Sequence, residues 1–178
     1  MGLARSLQNL AQSRGSNWSL REESATINLV KPVFFLAVFA EHLSYAFLPS
    51  AMQGLAAAGK LSPSFAALPF VAYYAMFAIS LIPAGHLERR VGPRALILGG
   101  LLLASGALAM LALRGDFWSA VAARAIAGVG QGALFIGVQA YVLANSSPDY
   151  RTRAGSSIVF GFQAGMIAGM AIGSLLVS

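Results

Sequence analysis

Gly85-His86-Leu87-Glu88-Arg89-Arg90-Val91-Gly92-Pro93-Arg94 separates two apolar runs, each long enough to cross a bilayer. The stretch reads as a short, strongly basic loop. A link this short requires its flanking helices to fold back as an antiparallel pair. Its arginines also bear on sidedness, because cytoplasmic loops of membrane proteins are enriched in Lys and Arg.

Working outward, the rest of the chain has the same character. It is 178 residues long, 57% hydrophobic and only 10% charged. Soluble domains carry about 25% charged residues, so this composition belongs to an all-α integral membrane protein. Five transmembrane helices are expected, over about residues 29–52, 64–85, 95–113, 117–144 and 154–177. Together they make a transmembrane domain over 27–178, preceded by a polar tail over 1–26. Ser62-Pro63 suits a helix start, Arg114-Gly115-Asp116 a turn, and Asn145-Ser146-Ser147-Pro148-Asp149 a break. Pro49 marks a kink or end of the first span, and Pro69 and Pro83 do so in the second.

With the N-terminus inside, nine cations face the cytoplasm: Arg5, Arg14, Arg21, Lys31, Arg89, Arg90, Arg94, Arg151 and Arg153. Only Lys60 and Arg114 face out, and Arg124 lies within a span. That bias predicts a multi-pass protein of the plasma (inner) membrane with a cytoplasmic N-terminus and a cytoplasmic Gly85–Arg94 loop. The net charge of +6 is assigned to lipid-facing loops, not to nucleic acid. In the tail, Ser19-Leu20-Arg21-Glu22 fits a capping box and Trp18 an interfacial anchor, so a short interfacial helix, a disordered tail or a docking segment is expected. The chain stops at Ser178 without a polar tail, which points to continuation by helices absent from this chain.

Cysteine is absent, which excludes disulfides and thiolate metal sites. No nucleophile–base constellation, metal-spaced ligand set or phosphate loop appears, so neither an enzyme, a metal nor a cofactor is expected. Three ionisable groups fall inside the apolar spans: Glu41, His42 and Arg124. Such groups cost roughly 2.5–3.5 kcal/mol unless paired or hydrated. Glu41 lies about 18 Å from the inner side at ~1.5 Å per residue. Arg124, on a helix entering from outside, lies about 20 Å from the inner side of a ~30 Å core. The matched depths predict an ion pair or a shared cavity. Such a pair either locks two helices statically or serves substrate binding and proton coupling. Tyr45 shares the face of Glu41, while Gln131 continues the stripe of Arg124, with Gln139 two turns further on. His42, Tyr73 and Gln163 complete a candidate polar cavity.

Glycines add a second pattern. Gly161, Gly165, Gly169 and Gly173 recur every four residues in the fifth span, with Gly128 and Gly132 in the fourth. A ridge of small residues lets another helix backbone approach closely.

Three of these patterns, taken in chain order, resemble signatures of the major facilitator superfamily. The loop matches Gly-x-Leu-x-Asp-Arg-x-Gly-x-Arg at Gly85, Leu87, Arg90, Gly92 and Arg94, with Arg89 at the acidic position and Glu88 one residue early. The fourth span carries Arg124-x-x-x-Gly128-x-Gly130-x-Gly132. The fifth follows Pro148-x-x-Arg151-x-x-Ala154 with Gly165, Gly169 and Gly173, with Met170 where a proline is expected. The resemblance covers residues 29–178, five of the six helices of the family's N-terminal half. It implies a transporter that moves a small solute by alternating access, with protons as a possible coupling ion. It also implies that Gly85, Glu88, Arg89, Arg90, Gly92 and Arg94 belong to a cytoplasmic gate. The expected partners are the bilayer, the solute, and either the remaining helices or a partner membrane subunit. Because Arg89 reverses the charge of the gate, the alternative is a non-transporting facilitator-like module that assembles a membrane complex or acts as a sensory domain.

Overall fold

The computed structural model describes residues 30–146 and 151–177; the tail with its capping box, and Pro148, lie outside that range. All regular structure among the described residues is helical. The elements are α1 (Val30–Ala46), α2 (Leu48–Ala58), α3 (Leu68–Val91), α4 (Pro93–Leu113), α5 (Phe117–Ala144) and α6 (Arg151–Val177). A short 3₁₀ turn over Pro63–Ala67 leads into α3. Four helices are long and apolar enough to cross a membrane, or five if α1 and α2 count as one span bent by 52°.

The bend has a local cause. The end of α1 tightens into a 3₁₀ turn over Ser44–Ala46, where Ser44 Oγ donates to the Glu41 carbonyl at 2.9 Å. Pro49, in the first turn of α2, has no N–H to continue the ladder, and the Phe47 carbonyl starts the new helix, accepting from Ala51 N–H at 3.1 Å and from Ser50 Oγ at 2.9 Å. The first span thus breaks at Phe47 and continues to Ala58, past the expected end near residue 52.

The Gly85–Arg94 stretch is also more helical than a loop. Leu87, Glu88, Arg89 and Arg90 are good helix formers, and Arg89 and Arg90 complement the negative end of the helix dipole. The helix therefore continues to Val91, and only Gly92 separates α3 from α4. Gly92 adopts φ 81°, ψ 161°, a conformation essentially restricted to glycine, and its N–H donates to the Glu88 carbonyl at 2.8 Å. Pro93 then opens α4, its fixed φ suiting a first helical turn.

The centre of the bundle is α5. Of its apolar stretch 61% is buried, against 17–22% in α3, α4 and α6. Small residues explain how it accepts neighbours on several sides. Gly128 and Gly132 back onto Tyr73 and Ser80 of α3. Gly100 of α4 and Gly130 of α5 meet so closely that a Cβ on Gly100 would stand 2.7 Å from the Gly130 carbonyl oxygen. On the far side, Phe34 and Val38 of α1 lie among Leu134, Val138 and Val142 of α5 and Ala154 and Ile158 of α6.

The ridge on α6 packs against α1. A Cβ on Gly165 would come within 2.8 Å of the Phe35 carbonyl oxygen, and one on Gly169 within 2.6 Å of that of Phe39. Gly173 continues the contact at Leu43. Gly161 does not take part: nothing lies within 4 Å of where its Cβ would be. Helical spacing places it on the ridge, but α1 meets that turn through Phe34, against Ile158 and Phe162, and leaves open space beside the glycine.

Candidate functional site

The site forms where the last full turn of α1 meets the first third of α5 and the start of α3. Arg124 lies two turns into α5, and Glu41 one turn before the 3₁₀ segment of α1. Arg124 Nη1 donates to Glu41 Oε1, and each side chain is 1% exposed. The depth-matched residues are therefore in contact. Removing one member of a buried pair strands the other charge, at a typical cost of about 3–5 kcal/mol.

Aromatic rings enclose the pair. The Tyr73 ring centre lies 4.5 Å from the Arg124 guanidinium carbon, and the Tyr45 ring centre 5.0 Å from it. Both rings offer their electron-rich faces to the cation. His42 stacks on Tyr45 at 4.8 Å and meets Tyr73 edge-on at 6.5 Å. Its Nδ1–H donates to the Val38 carbonyl at 2.8 Å, which directs Nε2 away from its own helix. Phe70 and Tyr74 of α3 close the outer side of Tyr45, at 5.4 and 6.4 Å.

Several buried polar atoms have no partner among the described residues: Glu41 Oε2 and Arg124 Nε and Nη2 in this enclosure, and both amide atoms of Gln131, about 10 Å further along α5. Gln131 is fully buried on the same stripe of α5 as Arg124. Buried polar groups are nearly always bonded, so each exception calls for a role.

Not every expected cavity residue joins the cluster. Gln139 is half-buried, about 12 Å beyond Gln131 along α5. Gln163 is exposed on α6 and does not join this enclosure. A separate cluster of four phenylalanines was not foreseen. Phe34, Phe77, Phe135 and Phe162, one from each of α1, α3, α5 and α6, have neighbouring ring centres 5.7–6.5 Å apart. Phe70, Tyr74 and Phe77 were also missed. Their signal was the Phe70-x-x-Tyr73-Tyr74-x-x-Phe77 spacing, which lines one side of α3 with aromatics.

The gate residues form a different environment. Arg89, Arg90 and Arg94 are exposed, while Gly85, Glu88 and Gly92 are half-buried. Arg94 lies over the Tyr141 ring at 5.7 Å, tying the start of α4 to the end of α5. No ion pair occurs at the α3–α4 junction among the described residues. Nor does any group of three His, Asp or Glu converge there on a metal-sized site.

The family model described as Major Facilitator Superfamily matches residues 34–178, which takes in both partners of the buried pair and every helix after the start of α1. The chain belongs to the major facilitator superfamily. Comparison with curated proteins and with solved structures gives no match. Membership makes this a multi-pass membrane protein of transporter-type fold. Within that fold, the residues that carry the three motifs fall into three places: the enclosed Arg124, the exposed junction at Gly92, and the Gly165–Gly169–Gly173 ridge of α6 against α1.

Proposed function

We propose that this facilitator chain forms the first half of a carrier that moves a small solute by alternating access, coupled to protons through Glu41 and Arg124. The observation that supports this reading is the buried Arg124–Glu41 pair placed one turn from the break in the first span. A static brace does not require a broken helix beside it. Broken spans in transporters expose backbone groups where solutes and ions bind.

In this mechanism, ionised Glu41 holds Arg124 and so holds α1 against α5. A proton on Glu41 removes the charge attraction, while the guanidinium stays charged and cradled by Tyr45 and Tyr73. The pair then loosens, and the bend at Phe47 supplies the joint at which α2 reorients relative to α1. The basic junction faces the cytoplasm of the inner membrane, consistent with nine cations against two.

The test is solute-induced collapse of a pH gradient in vesicles carrying the full reading frame, screened over a panel of small solutes. Glu41→Gln, which keeps the shape and removes the titration, is expected to abolish proton movement. Proton-driven uptake indifferent to both Glu41→Gln and Arg124→Ala would falsify the coupling role.

One observation favours a second reading, a non-transporting module within a membrane complex. Arg89 stands exposed where the family's gate has an acid, and no ion pair ties the junction among the described residues. Recovery of a stoichiometric partner in mild detergent, with no solute-dependent proton movement, would favour it.

A further inference from the structure

Glu41 uses only part of Arg124. A guanidinium offers planar oxyanions two forks, one from Nη1 with Nη2 and one from Nη2 with Nε. Glu41 Oε1 takes Nη1. Nη2 and Nε, which make up the side-on fork, have no partner among the described residues, although the side chain is 1% exposed. The Tyr45 and Tyr73 rings, nearly perpendicular to each other, stand against the guanidinium carbon at 5.0 and 4.5 Å, and no hydrogen bond from either is made to this fork among the described residues. The buried amide of Gln131, also unpartnered, lies further along the same stripe of α5. The 3₁₀ turn and 52° bend directly after this turn of α1 give the site a place to open. Irregular backbone at membrane depth persists where it is packed in protein or lines a cavity.

We propose that the cluster is a carboxylate site: the solute's carboxylate docks on the Nη2–Nε fork of Arg124 while Glu41 takes up one proton. This rests on the carrier reading above and names its substrate class. Charge balance drives the argument. The resting pair is neutral, and a second anion entering a low-dielectric enclosure would leave it with an uncompensated negative charge. One proton on Glu41 restores neutrality, so a solute carboxylate, a proton and the Glu41⁻–Arg124⁺ pair become protonated Glu41 and a carboxylate–Arg124⁺ pair. The new bond is the O–H on Glu41, and its Oε1 gives up Arg124 Nη1. Because one proton offsets one charge, the fit is to a singly charged, planar oxyanion.

The groups facing Glu41 leave it as the proton acceptor. Arg124 comes from α5 and Tyr73 from α3, with Tyr74 next to Tyr45. His42 and Tyr45 share α1; the His42 Nδ1–H is committed to Val38 and its Nε2 is basic, but a proton there would set a second cation near Arg124 and leave the Glu41–Arg124 bond in place. From α6 the contact at this level is Gly169 against His42; its titratable residues, Arg151 and Arg153, lie at the opposite end of that helix. Helix α4 packs elsewhere on α5 and brings only Arg94, at its start.

Calorimetry on the full chain in lipid nanodiscs tests this, with benzoate as probe, benzamide as its uncharged analogue and sulfate as a tetrahedral dianion. Titrations in two buffers of different ionisation enthalpy count protons. Benzoate is expected to bind with uptake of about one proton, and benzamide and sulfate at least about tenfold more weakly. Arg124→Lys keeps the charge but not the fork, and is expected to weaken benzoate about tenfold or more. Glu41→Gln is expected to bind benzoate without proton uptake. The wild-type stoichiometry needs no variant to fold. Absence of benzoate binding, equal binding of benzamide or sulfate, or benzoate binding without proton uptake overturns the assignment. Should Glu41→Gln still abolish proton-driven uptake of some other solute, the carrier reading stands and the carboxylate class alone falls.

Discussion

The Glu41–Arg124 enclosure and the Gly85–Arg94 junction both concentrate charge, yet they treat it in opposite ways. In the enclosure, two opposite charges are taken out of solvent and bonded to each other under aromatic rings. At the junction, Arg89, Arg90 and Arg94 stay exposed around a one-residue break. Charge in the first region is a structural commitment, because neither partner has water to fall back on. Charge in the second is cheap, because the bulk solvent and lipid headgroups already satisfy it. The comparison teaches that the same residue type, arginine, is costly to remove where it is buried and paired and cheap to remove where it is exposed.

The strongest way to break this comparison is Arg124→Ala. It strands a buried carboxylate and is expected to cost about 3–5 kcal/mol in reversible unfolding in detergent micelles. The double variant Glu41→Leu with Arg124→Met, which removes both charges, is expected to recover most of that loss. A single variant as stable as the wild type would mean that the pair is solvated.

Next comes the packing that holds the enclosure shut. A Cβ at position 128 would run into the Tyr73 backbone carbonyl, so Gly128→Ala is expected to cost about 1–3 kcal/mol. Gly161→Ala, with open space around it, is expected to be neutral or slightly stabilising through helix propensity. Equal effects at the two sites would remove the close approach of α3 to α5.

Smaller effects belong to the junction. Arg94→Ala gives up the contact over Tyr141 and is expected to cost about 0.5–1 kcal/mol, whereas Arg89→Ala should stay within about 0.5 kcal/mol of wild type. Thermal unfolding of both variants side by side checks this, and a large loss in Arg89→Ala would show a partner for it.

The smallest effect is at the N-cap of α5. Ser119 donates to the Asp116 carboxylate, its N–H reaching Oδ1 at 2.8 Å, and these hydrogen bonds hold the carboxyl below its ordinary value. With the folded value depressed, the cap's contribution is present above the unfolded carboxylate range and is lost as pH falls through the folded one. Acid is thus expected to fray the start of α5. Asp116→Asn, which caps without titrating, should flatten this acid dependence when helicity or melting temperature is followed against pH. An unchanged acid profile would exclude Asp116 as the cause.

Much of this architecture was legible in one dimension. Apolar run length identifies membrane-length helices, and the 1.5 Å rise placed Glu41 and Arg124 at one depth before any packing was known. Pro49 announced a kink or end in the first span. The loop over 85–94 was misjudged because charge was read as a break, although Leu87 to Arg90 favour helix and only Gly92 takes a conformation that ends one. Gln163, which is exposed, and Gly161, which has open space beside it, show another limit of spacing. Both satisfy the right periodicity, but periodicity assigns a residue to a face of its helix and does not say what lies opposite.

By itself, then, the sequence determined the membrane class, the family motifs and the matched level of Glu41 and Arg124, because hydropathy, spacing and helical rise act along the chain. Only the tertiary structure decided that Tyr45 and Tyr73 cover Arg124, that α5 is the central helix, and that one fork of the guanidinium remains uncommitted. Those outcomes depend on the rotation of each helix about its own axis. In a bilayer that rotation is set by which small residues let neighbouring backbones touch.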